Sequence, residues 1–504
     1  MNRLYFKSSI LTGIFLILSA AAFASKVWTG AQNSNWSNGA NWLPSGVPGS
    51  SDAVIFSPAV SNASCSLPFL GSVKDITILA DYTGTISGFN NSLALFTVNG
   101  TFLQQGGNVD LRKSRFKSLQ NFILEEGTFS KGTNGNTLFT GFQLLGGTCQ
   151  FSGARVDVMG NMLVTGGNHS LGSGTFEING IFIQHAGVLS KSSGFIRFKN
   201  QTAPGFLGGE QVWNASVFVA NGLNIANSNF EGGNAALYLN GNVNVNTSQF
   251  NQNGGSFSIP QQFSFSVNQS TLSFGQVVFN CGIFDAIEST IDLGTGNTTA
   301  TGDVTFNTCI IQKQTGELRL AHTGNLSLIA SNVNLSGELF ICKNLIMQDA
   351  YLKPNNNQVW ISNASLENSS SIEKNSGYFE CGYNEMLIAN ESSLYLDGCE
   401  GINLGSLQSN SSLFSFGDSP CFINGSLILS NGSVFSAPTS TLTIKGNFET
   451  SGSSFDSNNG EVIFNGSTST GIHISGNPDF YTVSLNHLSG ENEFRIDLIG
   501  SVGV

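Results

Sequence analysis

Two glutamates separated by twenty residues, Glu380 and Glu400, are the carboxylates in this sequence best spaced to share chemistry. In a chain repeating every twenty residues or so, they would occupy equivalent positions on successive strands, about 4.8 Å apart. Carboxylates about 5–5.5 Å apart act as acid/base and nucleophile in a retaining glycosidase, and like charges that close raise one of the two pKa values. The plainer reading is a pair of solvated surface glutamates. Arg319, Phe340 and Trp360 recur at similar spacing, and a guanidinium with two exposed rings would stack on a glycan or dock a surface protein. Asp157, Glu177 and Arg197 form a third ladder, of mixed charge, read as surface ion pairs. Cys399 and Cys421 would lie one turn apart, within reach of a disulfide. The chain has no G-x-S-x-G elbow, no G-K-[ST] phosphate loop and no H-E-x-x-H pair. His169, His185, His322, His473 and His487 are scattered and no cysteines stand at zinc spacing, so neither a metal nor a cofactor is expected.

These readings all depend on a repeat. Glycine recurs at 107, 127, 147, 167 and 187, each time just before a short alternating segment such as Gly127-Thr128-Phe129. Further along, small polar residues precede single apolar ones at Phe230, Phe250, Leu272, Ile291, Ile310, Val333, Tyr351, Ile372, Leu394, Leu413, Val434 and Phe455. The unit is about 20 residues, within the range of solenoid repeats, and inside it the apolar residues alternate with period two, as in half-buried strands. The expected fold is therefore all-β: a single parallel β-helix of roughly eighteen coils, each of about 20 residues with three short strands. The inward column of the middle strand reads Val156, Phe176, Ile196, Leu237, Phe257, Val304, Leu318, Leu339, Val359, Phe379, Cys399, Cys421, Leu442 and Val462. Its outward neighbours include Arg197, Thr305, Arg319, Phe340, Trp360, Glu380 and Glu400. Residues 25–105 are read as a capping region with the first coils. The β-helix then runs over 106–485, with an irregular coil at 199–217, and 486–504 form an incomplete coil. Thr175–Asn200 aligns without a gap to Thr441–Gly466, which points to an internal duplication.

Arg3 and Lys7 precede an apolar run ending in Ala22-Phe23-Ala24, the pattern of a secretory leader cut after residue 24. The run is shorter than the ~20 residues needed to span a bilayer, and no later stretch stays apolar long enough, so no transmembrane helix is expected in the mature chain. An extracellular or cell-surface location follows. The composition holds 20 Lys and Arg against 32 Asp and Glu, a net charge of -12, with only 10% charged residues. That balance disfavours a nucleic-acid partner, which needs clustered cations. With 40% hydrophobic residues there is enough apolar surface for a core, which disfavours disorder. The sequence sets no oligomeric state.

Past the leader come Trp28-Thr29-Gly30, Asn35-Trp36, Asn41-Trp42, Pro48 and Asp52-Ala53-Val54-Ile55-Phe56. This W-x-G…NW…P…D-x-V-x-F string resembles the start of large secreted or surface β-solenoid proteins of bacteria, especially the Bacteroidota. The resemblance implies that Trp28, Trp36 and Trp42 cap the first coil of a displayed solenoid; the other use of such rings is a sugar-stacking platform. Members of that family often end in a sorting or anchoring module. Here the final residues read instead as an unfinished coil, either a fragment or an end covered by another protein. The reading taken forward is a non-enzymatic, exported structural or adhesive solenoid that binds multivalently. The alternative is a polysaccharide hydrolase or lyase using Glu380 and Glu400.

Overall fold

The structure, a computed structural model, describes residues 25–486 except 216, 356–357 and 467–471, together with the backbone of Ile496–Ile499. The leader expected over residues 1–24 and most of the unfinished coil expected over 486–504 lie outside the described residues. The chain is a parallel β-solenoid of about 21 turns and only 1% helical. The count exceeds the expected eighteen because coiling begins before the glycine series: Ala53–Phe56 already pairs in parallel with Asp75–Ile78, and that strand with Phe102–Asp110. Two compact units are formed, Met1–Asn200 and Gln201–Val504.

In the first unit, the opening strand Ser25–Trp28 pairs antiparallel with Trp42–Leu43 and parallel with Ala53–Phe56. Trp28, Trp36 and Trp42 are all buried beneath this start, with Trp36 and Trp42 edge-on at 4.6 Å and Trp28 and Trp42 at 4.9 Å. The Nε1–H of Trp28 donates to the Ala63 carbonyl (2.8 Å) and that of Trp42 to the Trp36 carbonyl (2.8 Å). The polar end of each ring is thus satisfied inside the protein, as burial of an indole requires. These rings close the first turn and present no face to a sugar.

Above this cap each turn contributes three strands in steady register. One inward column runs Val109, Phe129, Cys149, His169, Leu189. Another runs Phe102, Phe122, Phe142, Met162, Phe182. Phe102 and Phe122 stack with centroids 4.8 Å apart and planes 5° from parallel. The glycine series explains the period. Gly127, Gly147 and Gly167 have φ of +84°, +62° and +80°, and a Cβ there would sit 2.4–2.7 Å from the carbonyl oxygen of the glycine one turn earlier. Only glycine fits both the left-handed backbone and the close stacking.

The second unit makes the same corner differently. A residue with positive φ is followed by a buried serine, as at Thr247-Ser248, Gln269-Ser270 and Glu288-Ser289. Along this stack the backbone N–H of Ser248 donates to the hydroxyl of Ser270 at 3.1 Å, and that of Ser270 to the hydroxyl of Ser289 at 3.2 Å. The hydroxyl in turn donates to the carbonyl two residues back, as Ser270 does to Asn268 at 2.7 Å. Cys309 and Ala350 replace serine in this stack, still donating their N–H groups to Ser331 and Ser370.

Register corrects several expectations here. The column after the serines runs through Ile311, Leu352, Phe414 and Phe435, so Ile310, Tyr351, Leu413 and Val434 face outward instead. The middle column contains Phe279, Thr298, Phe340 and Ile402 in place of Val304, Leu339 and Cys399. Val304 belongs to the neighbouring strand column, between Phe284 and Leu326, and Thr305 moves with it. The physical reason is uneven coil length: Phe279 to Thr298 is one turn, and so is Phe379 to Ile402.

Candidate functional site

The outward column of the middle strand in the second unit reads Tyr238, Ser258, Asn280, Thr299, Arg319, Ile341, Trp360, Glu380, Asn403, Phe422, Thr443. Two candidate groupings change as a result. Glu380 lies beside Asn403, not Glu400. The Glu400 backbone N–H donates to Gly377, three residues before Glu380, which offsets the two glutamates by roughly 10 Å along the strand in addition to the turn step. The pair required for a retaining glycosidase is therefore not formed. Phe340, expected on the surface, is fully buried, and Ile341 takes its outward place between Arg319 and Trp360. Arg319 does face outward, its guanidinium held by Glu317 at 3.0 Å.

Trp360 and Glu380 are brought together on adjacent turns. They line a cleft of about 310 Å³ with Ile341, Ile361, Ser362 and Glu385. Trp360 is 46% exposed. Tyr378, on the Glu380 strand, is 51% exposed, and its ring lies over Gly401 of the next turn, where a Cβ would come within 3.3 Å of it. Phe422 adds a third exposed ring two turns beyond Glu380. The cleft thus offers an aromatic face, a carboxylate and a hydroxyl from strands in the ladder, and a second carboxylate from a bulge beside them. Ring faces that pack C–H groups beside carboxylates that accept hydroxyls are the chemistry a polyol ligand requires.

Glu385 was not legible as a site residue. It lies in a bulge, residues 382–385, where the register slips between Cys381 and Met386. Gly382, at φ +67°, turns the chain out of the ladder there. The following turn tolerates the bulge because it carries Gly405, whose missing Cβ would lie 1.5 Å from the Gly382 carbonyl oxygen and 2.1 Å from that of Glu385. The one signal in the sequence is the long step from Phe379 to Ile402.

A larger groove, about 580 Å³, runs along Leu119, Phe142, Leu163, Ile181 and Ile183 in the first unit, but no ionisable side chain lines it. All eight cysteines are buried thiols. Cys421 stacks between Ile402 and Leu442, while Cys399 sits in a turn with its Sγ 3.7 Å from the Lys374 carbonyl. The Cys399–Cys421 bridge is therefore not present, and burial pushes the Cys399 thiol up to about 11. Among the described residues no three His, Cys, Asp or Glu side chains gather where a metal could bind, and no helix is long and apolar enough to cross a membrane. Compared with known proteins, the chain matches no family model, no curated protein and no solved structure.

Proposed function

We propose that this is an exported structural or adhesive β-solenoid of the bacterial surface type, and that the Trp360–Glu380 cleft is its contact for a neutral glycan. The observation carrying the reading is the exposed Trp360 ring beside Glu380 and Glu385 on an outward sheet face. Export rests on the leader-like residues 1–24, and surface display on the resemblance of the tryptophan-rich start. Weak contacts with repeating partners would add through effective concentration. The test is the chain from Ser25 onward applied to immobilised neutral polysaccharides, scoring retention and released reducing ends together. Retention without product, weakened about fivefold or more by Trp360→Ala, is the expected result, since truncating an anchoring ring costs about 1 kcal/mol or more. Released product lost in Glu380→Gln would replace this reading with a hydrolase, and retention unaffected by Trp360→Ala would remove the cleft from it.

A further inference from the structure

The first unit carries a charge distribution unlike the rest of the chain. Residues 25–200 hold eleven Lys and Arg against eight Asp and Glu, whereas residues 201–504 hold seven against twenty-four. Several of the first unit's cations share one outer sheet face. Lys117, Leu138, Asp157, Glu177 and Arg197 follow one another in register over five turns. Arg115 and Arg155 lie two residues before Lys117 and Asp157, and Lys199 two after Arg197, so all project from the same side of their strands. Arg115 and Arg155 thus share a register two turns apart, about 9.6 Å, and Arg197 lies two turns further on, offset by two residues along its strand.

The middle of this strip is built to hold cations outward. The Glu177 side chain is only 8% exposed, and it pairs with Arg155 at 2.7 Å, Lys199 at 2.8 Å and Arg197 at 3.5 Å. The Lys199 hydrogen bond, with Arg155 and Arg197 nearby, holds its carboxyl below the usual carboxylate range. Arg155 also grips Asp157 at 2.8 Å, and the Arg197 guanidinium rests 4.8 Å from the Phe195 ring centre. Five cations against two carboxylates leave the face positive, and the Arg155, Arg197 and Lys199 side chains stay 39–45% exposed. Just beyond Lys117 begins the groove that presents the amides of Asn121, Gln143 and Asn161.

We infer that this strip is a second binding site, for an acidic polysaccharide bearing one carboxylate per disaccharide. Such a polymer, extended along the strip, repeats its charge over about two sugar rings, the same scale as two turns, and its hydroxyls meet the groove amides. An acidic polymer is disfavoured at Trp360, where Glu380 and Glu385 face the ligand, so the two sites divide neutral from acidic glycans.

The test is retention of the full chain on immobilised hyaluronate at low and high salt, with neutral dextran as the control matrix. Retention on hyaluronate that high salt abolishes is expected. It should weaken roughly tenfold in Arg115→Gln/Lys117→Gln/Arg197→Gln, each exposed ion pair adding little alone, and stay unchanged in Trp360→Ala. The triple variant keeps Arg155 and Lys199 on Glu177, and an unaltered circular dichroism spectrum and melting temperature will show that it folds. Equal retention by the triple variant would overturn the proposal. So would a triple variant that instead loses concentration-dependent self-association in sedimentation, which would assign the strip to the acidic half of a second copy.

Discussion

Among single residues, His169 shows how a polar side chain enters the core without a functional task. It occupies an inward column between Cys149 and Leu189 and is wholly buried. Its Nδ1 accepts the Cys149 backbone N–H at 3.2 Å, and its Nε2 lies 2.6 Å from the Gly166 carbonyl, so the neutral ring carries its proton on Nε2. Burial lowers its pKa from the ordinary 6.5. The unfolded chain then takes up the proton first as pH falls, and stability is lost below about pH 6.5. Urea midpoints between pH 7 and 5 should fall for the native chain and fall less for His169→Gln, because most carboxylates titrate lower; equal slopes would refute this. The inward place of His169 was legible from the period alone. The positions of Phe340 and Glu400 were not, because adjacent apolar residues such as Leu339-Phe340 satisfy alternation in either phase, and a one-residue slip turns every side chain to the other face.

For the elements, the coil and its corners were readable wherever glycine marks them and obscure where other residues do the same work. The spacing of Gly107 to Gly187 announces the first unit's turns. The second unit hides its corners behind Asn, Thr, Gln, Glu and Asp at positive φ, steadied by the buried serine stack. The bulge carrying Glu385 was invisible for a related reason: an insertion within a strand leaves no composition signal, only a longer step. Gly405 is where that element is exposed to test. A methyl group there meets backbone, not a flexible side-chain end, so the 382–385 bulge must move. Gly405→Ala should lower the melting temperature and shift Trp360 fluorescence while retaining the β-rich circular dichroism spectrum. An unchanged emission spectrum would show that the bulge does not frame the cleft.

Over the whole molecule, buried ionisable groups set opposing pH responses whose signs can be worked out. Lys131, Lys191 and Lys313 are buried at strand ends, with their ammonium groups donating to turn carbonyls, such as Lys191 to Gly172 at 3.2 Å and Lys313 to Gly294 at 3.0 Å. Asn134 and Thr315 give further carbonyls to Lys131 and Lys313. Loss of hydration lowers each of the three to about 8. Between about pH 8 and the ordinary lysine value of 10.5, the unfolded chain therefore binds more protons than the folded one, so stability rises with pH. The buried cysteines act the other way. Their thiols are pushed above 9 by burial, so from about pH 9 upward the unfolded chain releases protons that the folded chain keeps, and stability falls. Each group contributes up to about 1.4 kcal/mol per pH unit in its window, and eight thiols outweigh these three lysines together with Lys374, which is also buried and lowered by burial. Stability should accordingly climb from pH 8, pass a maximum near pH 9 and then drop. Gln252 supplies the control that nature already made: its amide donates to the Ala235 and Gly254 carbonyls, both at 2.7 Å, without a charge. Replacing Lys131, Lys191 and Lys313 together by Gln should keep those turns closed and reduce the rise between pH 8 and 9 to the part Lys374 supplies, leaving the alkaline fall in place. Urea midpoints measured under reducing conditions across pH 7 to 10.5 decide it, and a rise undiminished in the triple variant would show that these lysines are not its source.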